Sequence, residues 1–469
     1  MKKLFLIFLF FISIHQVVFS LEVIHPTSTN LVVAESSIFF SGKIDRKEKL
    51  FINNKMVIPA RFGAFSHFVK LQNGENIFAL TTIDSKGKIE TIKYSIIKDS
   101  SLKTRYQNEL IEKEPRYYVT TKNNVVLRKT PVDAGMNRLG YLPINTKIVI
   151  TGVQNQFSRV YLTKDLCGWV KTSEIALVPL ELIPATEEQD EHFAEFVYEP
   201  KELISYGKDK DKDSLYSVRV SENTPYSLTE WGNRITLAVY NLNKISETLT
   251  KEFVLPKFAR YSLKMDNGKI DLEIKKPPFS KNNFSNKLVR VVIDAGHGGQ
   301  EIGAVGCLGH KEKVLNLEVA QKLKRILEVN NFDVCMTRTT DEFVSLQQRV
   351  DYAKSVDAVI FISIHLNAVP ISLNPNLNSG TVVFYYNPSA KPLAYELSNE
   401  ISKELNTQNA GACQASFAVI RPTEYIGALV ELAYLVNPKD VAVYKSKFFA
   451  YKSALGIYKG LVNYINNTL

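Results

Sequence analysis

The chain has few cysteines for its length. Its 469 residues include four, and no two of them are spaced as a CxxC pair. A small secreted fold that depends on disulfides has a much denser cysteine pattern. The sequence therefore excludes a disulfide framework and leaves room for at most one bridge, in the C-terminal part. The four cysteines are Cys167, Cys307, Cys335 and Cys413.

A strong basic cluster is also absent, although the net charge is +10 and the pI is about 9.1. A positive balance favours polyanionic partners, which include nucleic acid, an anionic membrane surface and an anionic wall polymer. Because no segment gathers the lysines and arginines together, we expect no nucleic-acid partner.

The N-terminal apolar run is too short to span a bilayer comfortably, since a span needs about 20 residues. Lys2 and Lys3 precede the run Leu4–Ile14, and the small residue Ser20 follows where a signal peptide would be cleaved. We interpret residues 1–20 as a secretory signal peptide, with an uncleaved anchor as the alternative. The mature protein is then exported, to the periplasm or to the cell wall and extracellular space, and keeps no stable membrane span.

Three β-rich units are predicted before the last domain, over residues 21–100, 117–178 and 193–276. In the first unit, short β-rich runs are separated by turn residues such as Asn53-Asn54 and Asn73-Gly74. Short strands at this spacing predict small sandwiches or barrels. Charged or proline-containing stretches between the units are interpreted as linkers.

The first two units resemble known β modules. The run FINNKMVIPARFGAFSHFVKLQNGENIFALTTIDSKG resembles bacterial immunoglobulin-like modules. In the second unit, Val126-Leu127-Arg128, Leu139-Gly140 and Gly168-Trp169-Val170 resemble the SH3-like barrel of bacterial wall proteins, with any small β meander as the alternative. The third unit is similar to wall-targeting modules, but no motif fixes its type.

From residue 288 onward, apolar strand-like runs alternate with helical patterns. The segment KVLNLEVAQKLKRILEV places apolar residues at Val314, Leu317, Ala320, Leu323 and Leu327, which is the spacing of one helix face. Such alternation predicts an α/β domain whose mixed or parallel sheet is flanked by helices. The predicted fold class is therefore multidomain, with three small β-rich domains before an α/β domain at 288–469.

Polar residues interrupt the apolar runs of this last domain. His297 follows one run, His365 ends the next, Glu431 interrupts ALVELAYLV, and Glu312 opens a helix. Ligands of such sheets bind outside the carboxyl ends of the strands. Each residue also has an ordinary explanation, such as a surface histidine or a glutamate favoured by the helix dipole. Glu431 is harder to explain in this way, because charges are rarely buried without a partner.

Together these residues indicate a metal site. Two histidines and one glutamate are the commonest minimal ligand set of catalytic zinc, with a fourth position left for water. A bound zinc ion lowers the pKa of that water to roughly 7, and a second carboxylate can take and return the proton. The GHGG turn at 296–299 lacks the lysine and the spacing of a phosphate-binding P-loop.

The last domain resembles the zinc-dependent N-acetylmuramoyl-L-alanine amidases. The similarity runs from about Leu288 to Leu469 through motifs in the family order, among them VVIDAGHGGQEIGAVG, AVIFISIHLNA and GALVELAYLVNP. It implies that His297, Glu312 and His365 bind Zn²⁺ and that Glu431 is the catalytic residue. The implied reaction is hydrolysis of the amide that joins the muramic acid lactyl group to L-alanine in peptidoglycan.

Other polar residues of the domain receive less direct roles. By the same resemblance Arg421 helps to shape the substrate groove, with a structural ion pair as the alternative. His310 is the rival zinc ligand, because it lies close to Glu312 in sequence. Three further residues are interpreted as scaffold: Arg338, Asp341 and Arg349.

The segment between the second histidine and the next strand bears on access to the site. Some periplasmic members of the family insert an inhibitory helix there, whereas this chain has LNAVPISLNPNLNSG, rich in Asn and Pro. We expect no blocking helix and an accessible groove, so that any restraint comes from the β units or from a partner.

Peptidoglycan is the expected partner, and the β units are candidates for binding a wall polymer or a regulatory protein. Two alternative functions stay open. One is a different zinc hydrolase of the same wall, such as a peptidase of the stem peptide. The other is a non-catalytic wall-binding scaffold that kept the fold, against which the complete set of four site residues argues.

Overall fold

The structure is a computed structural model that describes most of the chain after residue 20. The described ranges are 21–102, 109–163, 166–178, 194–198, 214–220, 224–240, 248–266, 268–277, 279 and 284–469. The predicted signal peptide, residues 1–20, lies outside them. Within these ranges no helix combines the length and the apolar character that crossing a bilayer requires.

The first β unit consists of two sheets that share one core. Its strands are β1 (Glu22–His25), β2 (Asn30–Val33), β3 (Ser37–Lys43), β4 (Lys49–Ile52), β5 (Lys55–Val57), β6 (Ala64–Lys70), β7 (Gly74–Ile83) and β8 (Ile89–Lys98). The sheets have the orders β1-β3-β6 and β2-β8-β7-β4-β5. Phe40 packs edge-to-face on Phe78 and Tyr94 of the larger sheet. Asn53 and Asn54 both adopt positive φ, as a tight hairpin turn between β4 and β5 requires.

The second β unit is one sheet of seven antiparallel strands. These are β9 (Ile111–Thr120), β10 (Val125–Arg128), β11 (Arg138–Leu142), β12 (Lys147–Gln154), β13 (Phe157–Thr163), β14 (Leu166–Lys171) and β15 (Ile175–Leu177). Their order is β11-β10-β14-β13-β12-β9-β15. Leu127, Ile148, Val160 and Val170 are fully or almost fully buried at its centre. A side chain at Gly168 would lie 2.5 Å from Leu127, so the core requires glycine there.

The third β unit has two sheets, ordered β16-β17-β22-β21 and β18-β19-β20. Its strands are β16 (Ala194–Tyr198), β17 (Ser214–Val220), β18 (Tyr226–Trp231), β19 (Arg234–Tyr240), β20 (Thr248–Val254), β21 (Arg260–Asp266) and β22 (Lys269–Lys275). Alternate residues of β19 and β22 are buried in one core, among them Ile235, Leu237, Ile270 and Leu272. The β-rich N-terminal part is therefore confirmed, while the immunoglobulin-like and SH3-like types stay predictions.

The C-terminal domain contains one mixed six-stranded sheet and five α-helices. The strands are β23 (Arg290–Ala295), β24 (Asp333–Met336), β25 (Ile360–Asn367), β26 (Thr381–Tyr385), β27 (Asn409–Gln414) and β28 (Ile426–Tyr434). The helices are α1 (Glu312–Val329), α2 (Leu346–Ser355), α3 (Lys391–Leu405), α4 (Val441–Tyr444) and α5 (Phe449–Thr468). The strand order is β24-β23-β25-β28-β26-β27, and β26 runs antiparallel to β28.

Both faces of this sheet are covered, which explains the continuous apolar runs of its central strands. Ile293 packs into the core shared with α1, α3 and α5, whereas its neighbour Val292 packs into the core on the α2 side. Two glycines of α5 let this helix approach α3 closely, since a side chain at Gly456 would lie 2.7 Å from the Ile401 Cα. The predicted α/β domain with helices on both faces is confirmed.

The first and third β units contact this domain at residues that follow and precede β25 in the sequence. In the first unit, Ser37 Oγ donates to the carbonyl of Ser372, 2.9 Å away in the segment that follows β25. In the third unit, buried Arg260 reaches the Asp357 carboxylate at 3.0 Å and the Ala358 carbonyl at 2.9 Å, just before β25. Residues 368–380 form turns and no helix, as the sequence predicted.

Candidate metal and catalytic site

His297 sits in a turn that two arginines hold in place. It follows β23 with φ of 59°, in the left-handed region, and Gly298 and Gly299 continue the turn with positive φ. Arg338 donates to the Gly296 carbonyl at 3.0 Å, and Arg349 donates to the His297 carbonyl at 2.9 Å. These bonds fix the backbone that presents the imidazole, which agrees with the scaffold interpretation of both arginines.

Glu312, the first residue of α1, lies between the two histidines. Its carboxylate oxygens are 3.2 Å from His297 Nε2 and 2.9 Å from His365 Nδ1. It also accepts hydrogen bonds from the backbone N–H groups of Ala304, at 2.8 Å, and Leu366, at 3.3 Å. Burial alone would raise the pKa of Glu312, but its hydrogen bonds and charge interactions with the two histidines hold it well below the ordinary value. The carboxylate is therefore ionised when the imidazoles surround it.

His365 lies near the end of β25 against the backbone of Gly296. A Cβ at Gly296 would lie 2.2 Å from the His365 ring, so only glycine leaves space for this imidazole. The rings of His365 and His297 are 5.0 Å apart and nearly perpendicular. Ligand atoms from these two residues and Glu312 all lie within 4.8 Å of one another. Two imidazole nitrogens and one carboxylate oxygen that converge in this way fit a zinc-type ligand set.

Glu431 lies directly beside this group. It is the Cα partner of His365 across the β25–β28 pair. The residue is 9% exposed, and its Oε2 is buried with no hydrogen-bond partner in the described part of the chain. Burial, and then the negative charge of Glu312, raise the pKa of Glu431 well above the ordinary value. A buried carboxyl oxygen without a partner costs free energy, so packing alone does not explain this position.

Two sequence-predicted residues are not part of this constellation. His310 is absent from the group of converging ligand atoms and instead packs edge-on against Tyr444 at 5.5 Å. Arg421 precedes the start of β28 and donates to Ser416 Oγ at 3.3 Å. Glu431 is the sixth residue of that nine-residue strand. The ion-pair alternative for Arg421 lacks a carboxylate partner in the described residues, and its role in the substrate groove stays a prediction.

Asp341, the third residue interpreted as scaffold, and two further polar residues hold the backbone around His297 and its supporting arginine. Asp341 accepts a hydrogen bond from the Gly299 N–H at 2.9 Å. Asn316 donates to the Gly296 carbonyl at 3.2 Å. Fully buried Asp294 forms a 2.6 Å ion pair with Arg349. Sequence reasoning missed Asn316 and Asp294, although a charge at the end of the apolar run VVID was the same kind of signal that identified Glu431.

Known proteins similar to this chain include cell-wall amidases, and a family model matches the C-terminal domain. The sequence model of a family described as N-acetylmuramoyl-L-alanine amidase matches residues 291–463. The chain is 33% identical over 185 residues to N-acetylmuramoyl-L-alanine amidase LytC of Bacillus subtilis, covering 39% of this chain and 37% of LytC. It is 34% identical over 178 residues to the probable cell wall amidase LytH of Staphylococcus saprophyticus, covering 38% of this chain and 58% of LytH.

A solved structure is also similar in sequence. It is the catalytic domain of CwlV, an N-acetylmuramoyl-L-alanine amidase from Bacillus (Paenibacillus) polymyxa var. colistinus, at 33% identity and a TM-score of 0.36. The match covers 38% of this chain and 98% of that domain. The chain thus spans 37% of the length of LytC and 58% of that of LytH, less than two thirds of either. The residues matched by the family model, 291–463, include His297, Glu312, His365 and Glu431.

Proposed function

Because the chain belongs, through its C-terminal domain, to the N-acetylmuramoyl-L-alanine amidase family, we propose that the protein hydrolyses the amide between N-acetylmuramic acid and L-alanine in peptidoglycan. The observation that carries the proposal is the buried carboxyl of Glu431, whose Oε2 has no partner among the described residues, beside the His297–Glu312–His365 group. A general acid-base residue adjacent to a metal-ligand set is what amide hydrolysis requires.

We propose that the metal is Zn²⁺ and that His297, Glu312 and His365 hold it. The support is the donor set, since two imidazoles and one carboxylate with a free position suit catalytic zinc. The chemistry supplied by the bound ion would be polarisation of the scissile carbonyl and a lower pKa of an adjacent water. Backbone N–H groups of Ala304 and Leu366 keep the Glu312 carboxylate oriented for this task.

Glu431 is the proposed proton carrier. Its carboxylate accepts the proton of the attacking water and then donates it to the leaving amine of L-alanine. A raised pKa suits both steps, because it makes the carboxylate a stronger base than an ordinary glutamate and lets the carboxyl hold the proton until the amine leaves. The placement of Glu431 beside His365, on neighbouring strands, keeps the proton carrier next to the metal ligands.

The β units are proposed to be wall-binding or spacing modules of an exported enzyme. Their β-rich folds are consistent with the immunoglobulin-like and SH3-like assignments for residues 21–100 and 117–178. The relatives named as cell wall amidases support action at the wall. We propose that these units contact a wall polymer or a regulatory protein, and that residues 1–20 direct export.

Mass spectrometry of digested peptidoglycan tests the function. Purified protein with Zn²⁺ is expected to release intact stem peptides from glycan, and excess chelator is expected to stop the release. Shortened or uncrosslinked peptides with glycan still attached would instead identify a peptidase. Release of nothing, with or without metal, would favour a non-catalytic scaffold.

A further inference from the structure

A cleft of about 340 Å³ separates the first β unit from the C-terminal domain, and no step of the proposed reaction uses it. Three of its lining side chains are cationic, namely Lys43, Arg46 and Lys445, and Asp45 is its one carboxylate. The first two cations come from the β unit and the third follows α4. Lys43 is paired with Glu22 at 2.7 Å, so Arg46 and Lys445 supply the positive charge that is left to attract an anion.

Three cationic side chains, from the first β unit and from the C-terminal domain, lie close to the ring of Phe62 in this cleft. The Phe62 ring lies 5.0 Å from the Arg46 guanidinium, 5.1 Å from that of Arg61 and 5.4 Å from the Lys445 ammonium. Among the described residues, neither Arg46 nor Lys445 has a carboxylate within ion-pair distance. Like charges that meet on one aromatic ring without a counter-ion repel one another, so this arrangement favours a bound anion.

His310 adds an independent sign of a missing partner. It lines the same cleft, and its Nδ1 is buried with no hydrogen-bond partner in the described part of the chain. Most buried polar atoms have a hydrogen-bond partner, so the unpaired Nδ1 of this lining residue is an unfilled hydrogen-bonding position. This histidine, which sequence proximity suggested as a zinc ligand, thus belongs to a second constellation.

The geometry points to a binding site for a phosphate-bearing group in this cleft, held by Arg46 on one side and by Lys445 and His310 on the other. A phosphate suits the site better than a single carboxylate, because it carries more charge and more acceptor oxygens for two cationic side chains and one imidazole. The volume is large enough for a phosphodiester with its neighbouring groups. A ligand bound there would join the first β unit to the C-terminal domain.

Calorimetric titration of the full-length, zinc-loaded protein with inorganic pyrophosphate tests this site. We expect R46Q and K445Q each to raise the dissociation constant by about tenfold or more. K47Q and K447Q are matched controls, because they remove the same charge next to the cleft and should bind like the parent protein. Equal affinity in all five proteins, or an equal loss in the controls, would overturn the proposal.

A second variant separates this site from phosphate binding at the metal. His365→Ala removes a proposed metal ligand. Pyrophosphate binding that remains in this variant, and is lost when R46Q and K445Q are added to it, takes place in the cleft. Binding that disappears in His365→Ala alone belongs to the metal group and refutes the cleft. Binding of soluble poly(glycerol phosphate) and of phosphatidylcholine vesicles with phosphatidylglycerol is then compared. The source of the phosphate group is the one whose binding is lost when Arg46 and Lys445 are substituted.

Discussion

His365 and Glu431 are paired across the parallel strands β25 and β28. Residues paired in neighbouring strands project to the same side of a sheet, so a metal ligand and an ionisable carboxyl are kept adjacent by backbone hydrogen bonds. The pair lies near the carboxyl end of β25, which is the edge where open α/β sheets bind ligands. The proposed proton carrier is therefore positioned by the sheet itself and not by a mobile loop.

Substitution of Glu431 by Gln should abolish turnover without loss of metal. The amide keeps the shape of the side chain but cannot accept the water proton, so the rate is expected to fall by about 10³-fold, within the usual range for general acid-base catalysis. Stem-peptide release and zinc content per protein, measured together, check the prediction. Glu318→Gln on the exposed face of α1 is the matched control. Full activity in E431Q would remove Glu431 from the mechanism.

Substitution of His365 by Ala and of His310 by Ala should affect zinc binding differently. His365→Ala is expected to lose both zinc and activity, because it removes one of three converging donors. His310→Ala is expected to keep stoichiometric zinc, because His310 lies outside that group. Elemental analysis after dialysis distinguishes the variants. Zinc lost from H310A but retained in H365A would reverse the ligand assignment.

The sequence made the four site residues predictable because each one breaks an apolar pattern or opens a helix. Glu431 lies within a nine-residue strand that is otherwise almost entirely buried and apolar, so only a special role explains it. His310 shows the limit of that reasoning, because nearness to Glu312 in sequence does not reveal which way the loop before α1 directs a side chain. The role of Arg421 in the substrate groove stays a prediction.

The alternation of strands and helices in the C-terminal domain followed from periodicity, but the packing between units did not. Arg260 and Asp357 are both charged and lie far apart in sequence, so each resembles an ordinary surface residue. Their contact at 3.0 Å depends on how two folded units meet. The start of α2 was also missed, although Ser345 and Gln348 form a capping box that is legible in sequence.

Gly303→Ala should weaken zinc binding although residue 303 is not a ligand. A Cβ at this position would lie 2.5 Å from Glu312 Oε2 and 2.7 Å from the His297 ring, so it would displace two proposed ligands. We expect zinc affinity to fall by about 10- to 100-fold, as for other groups that orient ligands. Gly411→Ala is the control, because its backbone also has positive φ but nothing lies within 4 Å of the added carbon. Competition with a zinc chelator dye measures both affinities, and equal effects of the two substitutions would contradict the steric argument.

Asp294→Asn should destabilise the fold at neutral pH, and the effect should shrink as the pH falls below the pKa of Asp294 in the folded state. Burial alone would raise the pKa of Asp294, but the charge of Arg349 and the hydrogen bonds from Thr337, Arg349 and Ser363 lower it below the ordinary value. A lowered pKa means that the carboxylate stabilises the folded state fully above about pH 4, the ordinary carboxyl pKa. That contribution is lost as the pH falls through the lower pKa of the folded state.

The expected cost of D294N at pH 7 is about 3–5 kcal/mol, because the substitution leaves the Arg349 guanidinium buried without its counter-charge. Urea unfolding at a series of pH values from 7 down into the acid range measures the free energy of unfolding of parent and variant. Asp351→Asn on the exposed side of α2 controls for the loss of one carboxylate. A gap between D294N and the parent that stays the same over the whole pH series would show that shape, and not the charge of Asp294, stabilises the turn before His297.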